Sequence, residues 1–202
     1  LAGAPGAPAM KRRTCLLARL AVTAALASAA WPLSRVLVWN VTASVPTGLY
    51  HIRGKASLYV GERVAIDPPP GLRRYLADRG YLPSRVPLLK EVAALGGDRV
   101  CRTGDAITVN SARLGVARTH DSKGRALPSW QGCVKLAAEQ IFVMNRHAPG
   151  SFDGRYFGPI SRAQVIGRAS PVWTDEAGEG DHVWFARPHL SHSSSTKKET
   201  NP

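Results

Sequence analysis

The sequence predicts a mostly β, antiparallel fold with one N-terminal helix that acts as a transmembrane anchor or a signal. Gly and Pro number 19 and 15 among 202 residues, and this turn-rich composition suits short strands better than a helical bundle. A basic cluster and a long apolar run open the chain, and short apolar runs separated by turn residues follow. The chain is long enough for one domain with a core of its own.

The N-terminal segment determines the predicted topology. Residues 1–13 form a short basic N-terminus that ends in Lys11-Arg12-Arg13, and residues 14–34 form an apolar segment. Its length approaches the roughly 20 residues that a membrane-spanning helix needs. Since basic residues stay on the cytoplasmic side, we expect the body in the periplasm, at the outer face of a bacterial inner membrane. Ala27-Ser28-Ala29-Ala30 leaves a cleaved signal sequence open as the alternative to a permanent anchor.

Residues 35–173 are predicted to form one domain of short strands. Apolar runs between Gly-rich turns place strands at Leu58–Val60, Arg63–Asp67, Leu88–Ala94, Ile107–Val109 and Gln140–Met144.

One helix interrupts this pattern. Leu72, Tyr75, Leu76 and Arg79 recur at helical spacing between a run of three prolines and Gly80.

The C-terminal residues 174–202 are predicted to be a polar, disordered tail. Its apolar island, Val183-Trp184-Phe185, is expected to dock on the body or on the membrane surface.

The formal net charge of +13 fits attraction either to nucleic acid or to an anionic membrane surface. The sequence contains no helix-turn-helix pattern, no RNP-like aromatic strand and no paired Cys/His zinc spacing. We therefore expect the membrane surface as a partner and no nucleic acid.

Three cysteines bear on the redox compartment. Cys15 lies in the apolar segment, whereas Cys101 and Cys133 lie in the body, and no CxxC motif suggests zinc or redox chemistry. In an oxidising compartment Cys101 and Cys133 would form a disulfide. The alternative is two buried free thiols.

Ser44 is a candidate nucleophile because Pro46 and Gly48 force a turn just after it. Such a turn can present a hydroxyl and direct nearby N–H groups at one point, as an oxyanion hole requires. The alternative is an ordinary turn serine.

Lys90 is a candidate general base because it interrupts the apolar run Leu88–Ala94. Strand alternation places it on the face of Leu88 and Val92. Burial lowers a lysine pKa, so that a neutral amine can accept a proton from a serine. The alternative is an edge lysine with its ammonium group in solvent.

A third polar segment contains Ser151, Asp153 and Arg155. Asp153 and Arg155 are spaced for a short-range ion pair, and Ser151 can orient the lysine amine through a hydrogen bond. The alternative is a solvated polar turn.

Together and in this order, the three segments resemble the Ser–Lys signal peptidases, and most closely their conjugal-transfer TraF branch, which processes pilins. The resemblance lies in Thr42–Tyr50, Leu88–Cys101 and Ser151–Pro159, after an N-terminal apolar segment. It implies a signal-peptidase-like antiparallel β-sheet domain with Ser44 as nucleophile and Lys90 as general base.

The resemblance also implies supporting roles. Thr42 would serve the oxyanion hole with the Ser44 N–H, Ser151 would orient Lys90, and Asp153 with Arg155 would hold the loop. Cys101 and Cys133 resemble the paired cysteines of the TraF branch.

The implied activity is that of a membrane-bound serine endopeptidase with no metal and no other cofactor. Its expected partner is a pilin precursor, which it cleaves or cyclises, and other conjugation components are possible partners. Val45, Gly154 and an extra stretch at about 71–86 depart from the general signal peptidases and favour the TraF branch.

Three other functions are alternatives. One is a general secretory signal peptidase, and another is a non-enzymatic periplasmic component of a conjugation or secretion apparatus. The third, a self-cleaving repressor of the LexA kind, would need a DNA-binding domain where the apolar segment lies.

Overall fold

A computed structural model describes residues 9–30, 37–54 and 57–186, which belong to two compact units, Leu1–Val36 and Leu37–Pro202. The first unit contains helix α1, Ala9–Ala30. No helix within the described residues combines the length and the apolar character needed to cross a membrane. The anchor and the periplasmic location of the body stay predictions, and residues 31–34 of the proposed segment lie outside the described residues.

The second unit is built on antiparallel sheets, which confirms the predicted fold class. The larger sheet has the order β1–β2–β11–β3–β4–β9–β10, and β12 pairs with β11. Its strands are β1 Leu37–Asn40, β2 Thr47–Arg53, β3 Arg63–Ile66, β4 Leu88–Ala94, β9 Gln140–Val143, β10 Ile160–Ser161, β11 Val165–Asp175 and β12 Val183–Trp184.

The smaller sheet has the order β7–β6–β5–β8. Its strands are β5 Arg99–Thr103, β6 Ala106–Val109, β7 Ala112–Val116 and β8 Gly132–Lys135. Every residue of the edge strand β8 is exposed, so apolar burial contributes little to holding it. Cys101 in β5 lies opposite Cys133 in β8, and the two form a disulfide with a Cα–Cα distance of 4.0 Å. The disulfide therefore attaches β8 to β5, where packing against the core contributes little.

Strand β4 carries the candidate base through the middle of the larger sheet. It pairs with β3 on one side and β9 on the other, and all its residues except Glu91 are buried. Lys90 lies opposite Val64, which is fully buried. The lysine is thus in a central strand and not at an edge.

Two α-helices accompany the sheets: α2, Pro70–Asp78, and α3, Gly154–Phe157. A 3₁₀ turn, Arg162–Gln164, precedes β11. Pro70 occupies the first turn of α2, where its missing N–H costs nothing, and Gly80 follows the helix with a φ of +66°. The helix predicted after the proline run is confirmed.

The strand predicted at Leu58–Val60 is wrong. The segment lies in a turn, in which the Glu62 N–H donates to the Tyr59 carbonyl and Gly61 has a φ of +93°. Leu58 packs against a core cluster from this turn. Its apolar character reflects that packing and not strand pairing.

The prediction of a disordered tail from residue 174 is wrong for residues 174–186. Strand β11 continues to Asp175, and Trp184 of β12 lies opposite Trp173, with their ring centroids 5.8 Å apart. The apolar island therefore docks on the body by strand pairing and aromatic packing. Residues 187–202 lie outside the described residues.

We predict that losing the Cys101–Cys133 disulfide destabilises the domain by up to about 3–4 kcal/mol. The bond closes a loop across a sequence separation of 32, and loop closure of that length reduces the entropy of the unfolded chain by about this amount. Urea unfolding with and without reductant measures the change. Cys15→Ser should stay sensitive to reductant, whereas the double variant Cys101→Ser/Cys133→Ser should be insensitive. Equal unfolding of the wild type in both conditions would refute the assignment.

Candidate active site

The turn that carries Ser44 is organised by Asn40, the last residue of β1. The Asn40 Nδ2 atom donates to the carbonyls of Thr42, Val45 and Pro46 at 2.8, 3.0 and 3.1 Å. Its Oδ1 atom accepts the Thr42 N–H at 3.2 Å, an arrangement by which asparagine commonly shapes turns. One buried amide therefore folds the segment in which Ser44 lies half-buried.

The far end of the turn is fixed by two residues of β2. The Tyr50 hydroxyl donates to the Pro46 carbonyl at 2.8 Å, and burial raises the pKa of this tyrosine well above its usual value. Gly48 has a φ of +128°, and any Cβ there would overlap the carbonyl oxygen of Trp173 in β11. Only glycine lets β2 approach β11 so closely.

Thr42 lies in this turn, and its hydroxyl donates to Asn40 Oδ1 at 2.9 Å. A hydroxyl has one hydrogen to donate. Donation to an oxyanion would therefore require the Thr42 hydroxyl to turn away from Asn40. The oxyanion role of Thr42 stays a prediction.

The Lys90 amine is buried, with 3% of the residue exposed, and donates to Ser151 Oγ at 3.0 Å. Burial lowers the pKa of Lys90 from 10.5 to about 8 because the low-dielectric interior disfavours the ammonium form. The carboxylate of Asp153 opposes this shift, and the guanidinium of Arg155 adds to it. Lys90 therefore exchanges its proton much closer to neutrality than a solvated lysine does.

Asp153 and Arg155 form a buried ion pair beneath the loop that contains Ser151. Arg155 Nε donates to Asp153 Oδ1 at 2.8 Å and Arg155 Nη2 to Oδ2 at 2.9 Å. Arg155 Nη2 also donates to the carbonyls of Ala148 and Ser151, while Asp153 accepts the Arg155 N–H and caps α3. The pair holds the loop from inside, and the interpretation as a solvated turn is excluded.

Asn145 is a positioning residue that the sequence analysis missed. This buried side chain accepts the Glu91 N–H through Oδ1 at 2.8 Å, and its backbone N–H donates to Asp153 Oδ2 at 3.1 Å. Its Nδ2 atom lies 3.5 Å from Ser151 Oγ. Asn145 thereby links β4 to the loop that contacts Lys90. An asparagine two residues after the end of the apolar strand β9 is the signal that could have indicated it.

Gly154 occupies a place where the packing admits no side chain. A Cβ there would lie 2.6 Å from a ring carbon of Phe142 and 2.7 Å from the Val143 carbonyl oxygen. Glycine at this position therefore lets α3 pack closely against β9.

The structure places Thr42, Ser44 and Lys90 along one cleft of about 530 Å³. Phe152 and Tyr156 from the third segment also line this cleft, while Ser151, Asp153 and Arg155 are buried. A lysine with a lowered pKa and a half-buried serine therefore line one cleft, a combination suited to nucleophilic chemistry. Within the described residues, no group of three or more His, Cys, Asp or Glu side chains could hold a metal ion.

We predict that the Lys90 amine titrates with a midpoint near pH 8. NMR spectra of protein labelled with ¹³C at the lysine ε-carbons measure it, and Lys90→Met assigns the resonance. Burial of Lys90 in a central strand is the cause of this low midpoint. A midpoint near 10.4, the ordinary value for lysine, would contradict the burial of this amine.

We predict that Asp153→Asn destabilises the domain by about 3–5 kcal/mol, because it leaves the buried guanidinium of Arg155 without its partner. It should also lower the pKa of Lys90 further, since the carboxylate of Asp153 raises that pKa.

Urea unfolding and the same lysine titration measure the two effects, with the exposed Asp105→Asn as control. If Asp153→Asn unfolds like Asp105→Asn, the buried ion pair does not hold the loop.

The sequence is similar to several known proteins. It matches the family described as signal peptidase, peptidase S26, over residues 11–174. It is 34% identical over 145 residues to the plasmid transfer protein TraF of Escherichia coli, covering 67% of this chain and 81% of that protein. It is also 34% identical over 147 residues to the conjugal transfer protein TraF of Agrobacterium fabrum (strain C58 / ATCC 33970), with the same shares of each chain.

A crystal structure of a signal peptidase I from Enterococcus faecalis V583 aligns with a TM-score of 0.35 and 18% identity, covering 56% of this chain and 97% of that one. The match to the family extends across the turn that carries Ser44, the strand that carries Lys90 and the loop that contains Ser151. The TraF relatives exceed 30% identity over most of their length. The chain therefore belongs to the signal peptidase family, peptidase S26.

Proposed function

We propose that this protein is a serine endopeptidase of a plasmid transfer system that uses Ser44 and Lys90 to process a pilin precursor. The observation that carries the proposal is the buried Lys90, whose pKa is lowered to about 8 and which lines one cleft with Ser44. The transfer context is supported by the relatives, which are named as plasmid and conjugal transfer proteins.

In the proposed mechanism, neutral Lys90 takes the proton of Ser44 as the Ser44 oxygen attacks a peptide carbonyl. The C–N bond breaks, the proton passes from Lys90 to the leaving amine, and an ester on Ser44 remains. Nearby donors, among which we propose the Ser44 N–H and the Thr42 hydroxyl, stabilise the oxyanion.

The ester has two possible fates. Attack by water, with Lys90 again taking a proton, releases a linear product and restores Ser44. Attack by the pilin's own amino terminus joins the two ends of the chain, which requires that amine to be held close to the ester.

The proposed location is the outer face of a bacterial inner membrane. Lys11-Arg12-Arg13 before the apolar segment supports this orientation. The Cys101–Cys133 disulfide supports an oxidising compartment such as the periplasm.

We predict that Ser44→Ala and Lys90→Ala abolish processing while the domain still folds. Loss of a nucleophile or its base lowers kcat by as much as about 10⁶-fold in serine proteases. The test is co-expression with a pilin precursor of a plasmid transfer system, followed by intact mass measurement of the pilin. The controls are Ser122→Ala, an exposed serine of the same cleft, and Lys135→Ala, an exposed lysine of β8.

A mature pilin one water lighter than its linear peptide would identify cyclisation, and a linear product would identify simple cleavage. Activity should also rise with pH around a midpoint of about 8, because the base must be neutral. Processing by Ser44→Ala, or an unchanged pilin with wild type, would overturn the proposal. Cleavage of generic preproteins but not of pilin would indicate a general secretory signal peptidase.

A further inference from the structure

Ser44 lies between two cavities. One is the cleft of about 530 Å³ that it shares with Lys90. The other, of about 620 Å³, is lined by the whole turn from Ala43 to Thr47, and we call it the polar cavity. A peptide whose carbonyl carbon meets Ser44 extends in both directions from that atom. The two cavities are therefore placed to receive the two sides of a substrate.

Strand β4 contributes a charged side chain to each cavity. Lys90 lines the cleft and Glu91 lines the polar cavity, because successive side chains of a strand point to opposite faces. The Glu91 N–H donates to Asn145 Oδ1 at 2.8 Å, and the Glu91 carbonyl accepts the Met144 N–H at 2.9 Å. The same stretch of backbone thus positions the candidate base and a carboxylate on opposite sides of the strand.

The polar cavity has a negative charge. Two arginines and three carboxylates line it, which gives a charge of −1 with its histidine neutral: Arg63, Arg146, Glu91, Asp175 and Glu176. A site of this charge attracts a cationic group more than an anionic one.

Two of the three carboxylates already bind donors of the protein. Glu176 accepts both Nη atoms of Arg63, at 3.1 and 2.9 Å. Asp175 accepts the backbone N–H groups of Gly178, Glu179 and Gly180 at 2.7, 3.1 and 2.8 Å. These hydrogen bonds orient the two carboxylates, which contribute their charge to the cavity.

Glu91 is the carboxylate that has room for a ligand. Its Oε1 atom lies 3.4 Å from Arg146 Nη2, which is long for a charge-assisted hydrogen bond. Its Oε2 atom accepts no hydrogen bond from residues 9–30, 37–54 and 57–186, and 20% of the side chain is exposed. Since an ionised carboxylate has about four acceptor positions, Glu91 can accept an N–H group from a molecule in the cavity.

The chemistry of cleavage determines which side of the substrate suits each cavity. Cleavage leaves an uncharged ester on Ser44 and releases a new α-amino group, whose ordinary pKa of about 7.7–8.0 leaves it largely protonated at neutral pH. The cleft, with Leu76, Leu82 and Leu127 in its lining, suits the uncharged acyl side. The negatively charged polar cavity suits the amino group.

We propose that the polar cavity is the amine-side subsite of the reaction, and that Glu91 is the positioning residue that binds the amino terminus of a peptide there. The inference rests on the proposed function and names the ligand class of this site. The amine that leaves on cleavage and the amine that attacks the ester in cyclisation occupy the same place, because attack by an amine is the reverse of its departure.

In this site a neutral amine donates one N–H to the Glu91 carboxylate and keeps its lone pair for the ester carbon. The new C–N bond forms as the C–O bond to Ser44 breaks. Neutral Lys90 takes one proton from the attacking amine and returns it to the Ser44 oxygen, while Glu91 keeps its charge. Binding the amine beside the ester raises its effective concentration relative to water.

The test follows the decay of the ester on Ser44 in the full chain in detergent micelles. The acyl donor is a pilin precursor whose own amino terminus is acetylated, so that it cannot attack, and the added amine is glycylglycinamide. Intact mass measurement gives the decay rate of the acyl-enzyme and the amount of amide product. The decay rate should saturate as the amine concentration rises, and N-acetylglycylglycinamide, which has no free amine, should not accelerate it.

Glu91→Gln should raise the half-saturating amine concentration by about tenfold, the size expected for one hydrogen bond to a charged group. Arg146→Gln should lower it, because this change removes the cation that competes for Glu91. Glu139→Gln, which changes an exposed glutamate outside the polar cavity, is the matched control and should equal the wild type. Decay in amine-free buffer and thermal unfolding separate a loss of amine binding from a general loss of activity or of fold.

Two outcomes overturn the proposal: a wild-type decay rate that rises in simple proportion to the amine concentration, or equal half-saturation in Glu91→Gln and Glu139→Gln. If no ester forms on Ser44, the proposed function fails, and the site is tested by binding of glycylglycinamide. Backbone ¹⁵N NMR shifts of Glu91 and of the turn from Ala43 to Thr47 should then change in the wild type and change less in Glu91→Gln. Equal shifts in both proteins, or no shifts, would refute the amine site as well.

Discussion

The burial of one amine, that of Lys90, is the constraint on which the rest of the site depends. A lysine in a central strand has little solvent around its charge, so burial disfavours the ammonium form and lowers the pKa to about 8. The neighbouring charges, Asp153 and Arg155, are already paired with each other. The Ser151 hydroxyl oxygen is therefore the group that accepts a hydrogen bond from the Lys90 amine. The lowered pKa of Lys90 and the burial of its strand therefore both require that the loop with Ser151 stays closed over the amine.

That loop is held by an unusually local arrangement. Asp153 and Arg155 are two residues apart, and between them they cap α3, satisfy several loop carbonyls and bind the backbone of Asn145. A buried ion pair with one partner removed costs far more than the pair gains over apolar packing. The pair is thus better understood as a means of specifying one loop conformation than as a source of stability.

The short sequence separation of these residues explains why the sequence could predict most of the site. Lys90 was evident because a charge in an apolar strand contradicts the pattern around it, and Ser151, Asp153 and Arg155 because they are near neighbours. Asn40 was missed because its five hydrogen bonds, four to backbone and one to a hydroxyl, are made within one turn, and residue identities do not reveal carbonyl positions.

The errors elsewhere have a different cause, because they concern contacts between segments that are apart in sequence. The partner of Val183 and Trp184 is β11, whose pairing no local pattern predicts. Tyr81 and Asp121 are 40 residues apart in sequence, and only the folded chain brings them together.

The packing of Phe152 links one wall of the cleft to the loop that contacts Lys90. Phe152 contacts Tyr81 on one side, and its neighbour Ser151 binds Lys90 on the other. If the wall moved with each substrate, close packing would transmit the displacement to the group that orients the base. A catalytic group displaced by as little as 1 Å can lose about 10²-fold in rate. A wall that keeps its position would avoid such a displacement of Ser151 and of the Lys90 amine that it binds.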